Sequence, residues 1–335
     1  MIFPEPPTTA KCASMPPLRA SYEAGRLEDL LAGPDVLAVI GFGPSAGSSN
    51  DPRYLNIGLE QAGSNRYEVW RGVAPVRSGV MGNVRWSSDD TYLFFAVEID
   101  EAESGGIDQA AEKAYSRICN LLDEQRLEGG TRPHILRLWN YMDAINEGEG
   151  DDERYRQFCC GRARGITPAA RNGYSAATAI GRRDGVRVLQ VYGLAARQAG
   201  VAVENPRQVS AWSYPRQYGP VAPTFARATR TPAEQLLVSG TAAVVGHASV
   251  HLGDTFAQFE ETLRNLQSLL DAAGSEIARR GLAASLLKVY LRDPTEAAAI
   301  EQRMRERCPP QIDCITLFGD ICRSDLRIEI DGMQI

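Results

Sequence analysis

The chain has 335 residues, of which 44% are hydrophobic and 23% charged. That is ordinary globular composition and excludes a disordered, collagen-like or coiled-coil chain. A net charge of −6 lacks the basic footprint of a nucleic-acid binder. No apolar run reaches the ~18–20 residues of a membrane span, and the prolines of MIFPEPPTTAKCASMPP break up any export signal. Lys11, Lys113 and Lys288 are the only lysines, leaving 33 arginines, a bias that suits either a GC-rich genome or planar two-point binding of carboxylates. Seven cysteines with no CxxC spacing point to reduced thiols and a cytoplasmic location. The vicinal pair Cys159-Cys160 reads as two partly buried thiols or a redox switch.

In chain order, residues 1–35 read as a Pro-rich arm. Residues 36–203 form a first half with two extra strands, VLAVIGFG and YEVWRG. A strand (91–99), an amphipathic helix (107–125) and a second strand (134–145) follow. A short helix (151–165), with acidic residues at its positive end, and the strands SAATAIG and GVRVLQVYG close the half. Residues 204–231 are a linker too rich in aromatics and arginines for a neutral spacer, as loops that carry function often are. Residues 232–335 form a second half. It comprises a strand (236–246), a helix (255–274) with Phe256, Phe259, Leu263, Leu266 and Leu270 at helical spacing, and a strand (284–294). A helix (295–308) N-capped by Thr295 and the strands CITLFGDI and DLRIEIDG end it. Both halves run β, long α, β, short α, β, β, which indicates an internal duplication with residues 137–143 laid over 287–293.

Several motifs suggest chemistry. GPSAG (43–47) matches G-x-S-x-G around Ser45, but SSNDPRY follows where the nucleophile elbow needs a helix. His247 and His251 are four apart, yet Ala248 stands where a zincin carries Glu, so no metal site is expected. The alternation of DLRIEID puts Asp325, Arg327, Glu329 and Asp331 on one strand face. That face is either solvated, or it places a carboxyl in a partly apolar site with a raised pKa. Two clusters, Tyr155/Arg162/Arg164 and Tyr214/Arg216/Tyr218, suit a small anionic substrate or are surface salt bridges.

The SGT strand end, the helix ending LLDAAG, the VYLRD strand and the IEID strand make residues 232–335 resemble the RidA/YjgF family. That family's deaminases carry an arginine just before the Cys-led strand, where this chain reads PQIDC. The segments RLWNYMDAINEGEGDDERYRQFCCGRARG, SAWSYPRQYGP and GDICRSDLRIEIDG extend the likeness, and the whole chain resembles the chorismatases. The resemblance implies an α+β fold of tandem RidA-like halves, with mixed sheets and helices packed on one face. It implies cleavage of chorismate to pyruvate and 3-hydroxybenzoate, or 3- and 4-hydroxybenzoate together, without a metal or organic cofactor. Glu329 maps onto the family's catalytic glutamate and Cys322 onto the cysteine of the aromatising branches. Gly240 or Ala242 maps onto a small residue that influences product choice. The oligomer implied is a homotrimer or a monomer. A RidA-type imine or enamine deaminase and a non-catalytic ligand-binding module are the alternatives.

Overall fold

A computed structural model describes residues 15–166 and 173–334. The described chain opens with β1 (Arg19–Glu23), α1 (Leu27–Leu31), β2 (Val36–Phe42), β3 (Tyr54–Ile57), β4 (Glu60–Gln61) and β5 (Tyr67–Arg71). The order β1-β5-β2-β3 makes a four-stranded sheet. The expected arm is therefore structured from Arg19 onward, because Ala20 and Tyr22 are buried in the core beside Trp70. Residues 1–14 of that arm lie outside the described residues.

The first half continues with β6 (Arg77–Met81), β7 (Val84–Ser88), β8 (Tyr92–Asp100), α2 (Ile107–Glu124), β9 (His134–Asp143), α3 (Arg154–Gly165), β10 (Ala176–Arg182) and β11 (Val188–Ala196). The second half holds β12 (Val201–Val203), β13 (Ala228–Arg230), β14 (Leu236–Ala242), the hairpin β15 (Val244–Val245) and β16 (Ala248–Ser249), and α4 (Thr255–Ala272). It ends with α5 (Ser275–Arg280), β17 (Ser285–Leu291), α6 (Ala297–Arg307), β18 (Asp313–Phe318), β19 (Asp320–Ile321) and β20 (Ile328–Gln334).

The duplication is visible in the sheets. One runs β10-β9-β11-β8-β7-β6 and the other β18-β17-β20-β14-β13-β12. The β9/β10 and β17/β18 pairs are parallel, and the neighbouring pairs in each sheet are antiparallel. Each sheet gains a seventh strand from the other side of the molecule: β19 pairs with β10, and β4 with β18. The overlay of 137–143 on 287–293 is out of phase by one residue. Arg137, Trp139 and Tyr141 face between the sheets while Leu287 faces the helices, and a one-residue slip reverses every face. Residues 201–203 and 228–230, expected in the first half and the linker, both pair in the second sheet.

Helices α2 and α3 cover the outer face of the first sheet, and α4, α5 and α6 the outer face of the second. The inner faces share a core with the four-stranded sheet. Helix α2 follows from its stripe Ala110, Ala111, Ala114, Ile118, Leu121 and Leu122, all fully buried. Gly161 lets α3 lie directly on α2, since a Cβ there would overlap the Asp108 carbonyl. The acids expected inside that helix lie ahead of it: Asp151 and Asp152 occupy a preceding 3-10 turn. Thr295 is not the N-cap of α6. Asp293 accepts from the Thr295 amide and caps a 3-10 turn instead.

Candidate active site

Strand β20 lies inside its sheet, paired with β14 on one side and β17 on the other. Its side chains alternate: Ile328 and Ile330 join the core under the helices, and Glu329 and Asp331 point the opposite way. The solvated-face alternative fails because a second sheet covers that side. Glu329 is 4% exposed and Asp331 0%. Asp325 and Arg327 precede the strand, so they are not part of its face.

The two acids meet different surroundings. Asp331 Oδ2 accepts from Thr178 Oγ1 (2.7 Å), Trp139 Nε1 (2.9 Å), Arg137 Nη2 (3.1 Å) and the Tyr290 hydroxyl (3.1 Å). Its Oδ1 lies 3.8 Å from the buried Lys288 ammonium, which also binds Glu68 at 2.8 Å. Among the described residues none donates a hydrogen bond to Glu329. Burial, and then the negative charge of Asp331, push the Glu329 carboxyl up to about 8, with Arg137, Arg227 and Arg323 pulling part of the way back. A carboxyl in this state keeps its proton at neutral pH and can give it away.

Glu329 faces a cavity of about 330 Å³ bordered by the linker, the β15–β16 hairpin, the turn at 322–326 and the start of α3. A narrower inner chamber of about 30 Å³ continues past it toward Phe158 and Arg162. Tyr155, Phe225, Gly240, Cys322 and Glu329 line both chambers. Cys322 directly follows β19, so it arrives from the first sheet while Glu329 arrives from the second. They converge across the inter-sheet space, not on adjacent strands of one hairpin. Burial foremost, then the Glu329 charge, pushes the Cys322 thiol well above its ordinary range. Strand β14 carries a bulge where Ser239 and Gly240 stand opposite Asp331. At Gly240 a Cβ would overlap the Glu329 carboxyl, so the acid occupies the space that glycine leaves. Ala242 lines the outer chamber.

Of the expected anion-binding residues, Tyr155, Tyr214 and Tyr218 line the outer chamber and Arg162 the inner one. Arg162 is 5% exposed, its guanidinium over the Tyr115 ring and its Nε without a hydrogen-bond partner among the described residues. Arg164 and Arg216 do not reach the cavity. Arg164 points outward from α3 to Asp108 (2.6 Å) and Glu112 (2.8 Å). Arg216 holds Asp151 with both terminal nitrogens on the exposed surface. For these two the salt-bridge alternative describes the geometry.

Three cavity arginines were not singled out from the sequence. Arg156, at the start of α3, is held by Glu153 at 3.1 Å. Arg227, 6% exposed, donates to the Tyr214 hydroxyl (2.7 Å) and the Val209 carbonyl (2.8 Å). Arg323 stacks over Tyr218 and Tyr214, 4.1 and 5.0 Å from their centroids, and donates to the His247 carbonyl. Aromatic faces hold guanidinium planes in this way. For Arg227 and Arg323 the only signals in the sequence were their positions, Arg323 after Cys322 and Arg227 at the end of the aromatic linker.

The other motifs dissolve. Ser45 sits in a 3-10 turn between β2 and β3. His247 Nδ1 lies 3.2 Å from the Tyr218 hydroxyl. Among the described residues no group of His, Cys, Asp and Glu is arranged to hold a metal ion, and no helix is long and apolar enough to cross a membrane. Cys159 and Cys160 are free thiols, one buried and one half-buried.

Comparison with known proteins agrees with this geometry. The family model described as "Chorismatase FkbO/Hyg5-like, N-terminal" matches residues 68–195. A 3-hydroxybenzoate synthase from Streptomyces hygroscopicus is 35% identical over 284 residues, covering 79% of this chain and 80% of that protein. A chorismatase from Streptomyces rapamycinicus is 36% identical over 285 residues, covering 79% and 81%. A chorismatase crystal structure superposes with a TM-score of 0.80 at 32% identity, covering 96% of this chain and 99% of that one.

Proposed function

The chain belongs to the chorismatase family, and we propose that it cleaves chorismate to pyruvate and 3-hydroxybenzoate, alone or together with 4-hydroxybenzoate. The observation that carries this reading is the Glu329 carboxyl. It is buried, without a hydrogen-bond donor among the described residues, pushed up to about 8, and directed into a cavity beside Cys322.

Chorismate presents an enolpyruvyl ether, a ring hydroxyl and two carboxylates on one small ring. Glu329 gives its proton to the vinyl methylene, which leaves an oxocarbenium-like carbon. The carboxylate so formed faces that carbon and stabilises it, with little reorganisation because the Glu329 side chain is held almost fully buried. The ring C–O bond then breaks and pyruvate leaves with the ether oxygen. Loss of the proton from the hydroxyl-bearing carbon gives 4-hydroxybenzoate. 3-Hydroxybenzoate forms instead when the neighbouring hydroxyl oxygen bonds to the ether carbon as pyruvate leaves and its proton passes to the Glu329 carboxylate. The epoxide so made opens at its para C–O bond with loss of the meta ring proton. A hydroxybenzoic acid plus pyruvic acid is an isomer of chorismic acid, so the overall change consumes no water. Arg227 and Arg323 in the outer chamber and Arg162 in the inner one are the arginines best placed to hold the two carboxylates, because Arg156, which also lines the outer chamber, is already paired with Glu153. Cys322, a weak hydrogen-bonding group, stands where a polar residue would hold water against the ring and so favours aromatisation over hydration. Every step uses groups of this chain. The proposal includes a cytoplasmic location, in keeping with the free thiols at the six described cysteines.

The test is incubation of the purified protein with chorismate. Pyruvate is followed through lactate dehydrogenase and the aromatic products by chromatography. Equimolar pyruvate and hydroxybenzoate are expected. Chorismate left intact, or ammonia released from an imine substrate instead, overturns the reading.

A further inference from the structure

The hydroxyl of Thr178 joins the first sheet, the Gly240 bulge and the acid-bearing strand. Thr178 lies on β10, 2% exposed, between the inner chamber and the ionic cluster behind it. Its Oγ1 donates to Asp331 Oδ2 (2.7 Å), accepts from the Gly240 amide (2.9 Å), and accepts from Arg137 Nη2. A hydroxyl has one proton to donate and two lone pairs to accept with. All three are occupied, so this group has nothing left to offer a substrate. Its own carbonyl accepts from Asn140 Nδ2 (2.9 Å), which further holds the strand segment in place.

These bonds determine where Gly240 sits. In the bulge, Val238 pairs with Gly332 and Thr241 with Ile330, so the amides of Ser239 and Gly240 leave the β14–β20 ladder. The Ser239 amide goes to the Arg227 carbonyl (3.0 Å) and the Gly240 amide to Thr178. Ser239 Oγ accepts from the Ala177 amide (2.9 Å) and donates to the Ala226 carbonyl (2.6 Å). The bulge is thus fastened to β10 at two successive residues. Its Gly240 amide is fastened by Thr178, directly against the Glu329 carboxyl.

We infer that Thr178 is a positioning residue for the reaction: by pinning the Gly240 amide while bonding Asp331, it sets the gap in which the Glu329 carboxyl stands. The inference rests on the reading of Glu329 as the acid. Without the hydroxyl, Gly240 loses its anchor and Asp331 loses one of four donors, while every other residue that lines the two chambers keeps its chemistry. Substrate binding is then preserved and proton delivery is not.

The experiment compares Thr178→Val, which keeps the branched shape, with Thr178→Ser, which keeps the hydroxyl. Pyruvate release is measured per folded molecule, with folding checked by circular dichroism and thermal melting. Thr178→Val is expected to lower kcat by about 10–100-fold, the scale of a misplaced catalytic group, with KM within about threefold of the parent value. Thr178→Ser is expected to restore kcat to within about threefold. If Thr178→Val does not fold, Thr178→Ala is compared with Thr178→Ser in the same way. Near-normal kcat in the variant lacking the hydroxyl, an effect confined to KM, or failure of serine to rescue overturns the inference. Glu329→Gln is run alongside. If it is inactive while Thr178→Val is normal, only the inference on Thr178 fails. If Glu329→Gln is active, both fail.

Discussion

Replacing Gly240 by alanine probes the site with a single methyl group. The backbone there is outside the left-handed region, so alanine meets no conformational penalty of its own. Its Cβ would stand 2.7 Å from Glu329 Cδ and 3.4 Å from Cγ, against ordinary carbon contacts of about 3.5–4.0 Å. The carboxyl carbon must therefore retreat by about 1 Å. The methyl meets the far end of a flexible side chain, so the protein should fold and the acid should move. A displacement of about 1 Å in a catalytic group costs up to about 10²-fold in rate. Gly240→Ala should accordingly reduce formation of 3-hydroxybenzoate by about 10²-fold, with KM little changed and the melting temperature near that of the parent. Any residual turnover should show an altered product ratio, because the proton now starts from a different place relative to the ring. The assay is coupled pyruvate release together with chromatography of the ring products. Unchanged kcat with an unchanged product ratio would refute the claim that this glycine makes room for the acid.

Cys322→Ala should retain pyruvate release and shift product from 3-hydroxybenzoate toward 4-hydroxybenzoate or a non-aromatic diol, read by chromatography at matched chorismate consumption; an unaltered ratio assigns Cys322 to packing. Arg227→Ala and Arg323→Ala should each lower kcat/KM at least about tenfold, as expected for loss of a charge-assisted partner of a bound carboxylate. Arg164→Ala and Arg216→Ala should change it by no more than a few-fold, because exposed ion pairs contribute little. For pH, Glu329 acts in its protonated form, so kcat/KM should be flat in mild acid and fall as pH rises through about 8. The same shift links to stability. The folded state binds this proton more tightly than the unfolded state, so its contribution is fully present below the ordinary glutamate pKa and is lost as pH rises toward about 8. Thermal melts of Glu329→Gln, which cannot ionise, should therefore gain on the parent protein between pH 5 and 9; parallel melting curves would contradict the shift.

Much of the fold was legible because long elements carry strong periodicity. Helices α2 and α4 lie within one or two residues of the expected ends, since each has a continuous apolar stripe. The duplication was legible in element order, but its register was not, because low identity leaves the inward and outward faces of β9 and β17 alike in hydrophobicity. Strand β4 was invisible, having two residues and no period to read. Strand β19 was read as the end of the single strand CITLFGDI, which instead breaks at Gly319 so that Asp320–Ile321 pair with β10 of the opposite sheet. Alternation correctly put Glu329 and Asp331 on one face. Whether that face meets water depended on a sheet more than a hundred residues away in the chain. Lys288 carried a hidden signal, one of three lysines among 33 arginines, and it is the ammonium buried between Glu68 and Asp331. Arg164 and Arg216 misled because arginine beside tyrosine looks the same at a surface ion pair as at a ligand site.

The central claim is that a protonated Glu329 starts the reaction, and Glu329→Gln tests it most directly. Glutamine preserves size and removes the transferable proton. With the fold confirmed by circular dichroism, pyruvate release from saturating chorismate should fall by at least about 10²–10⁴-fold, the ordinary worth of a general acid. Pyruvate release within a few-fold of the parent rate would contradict the account.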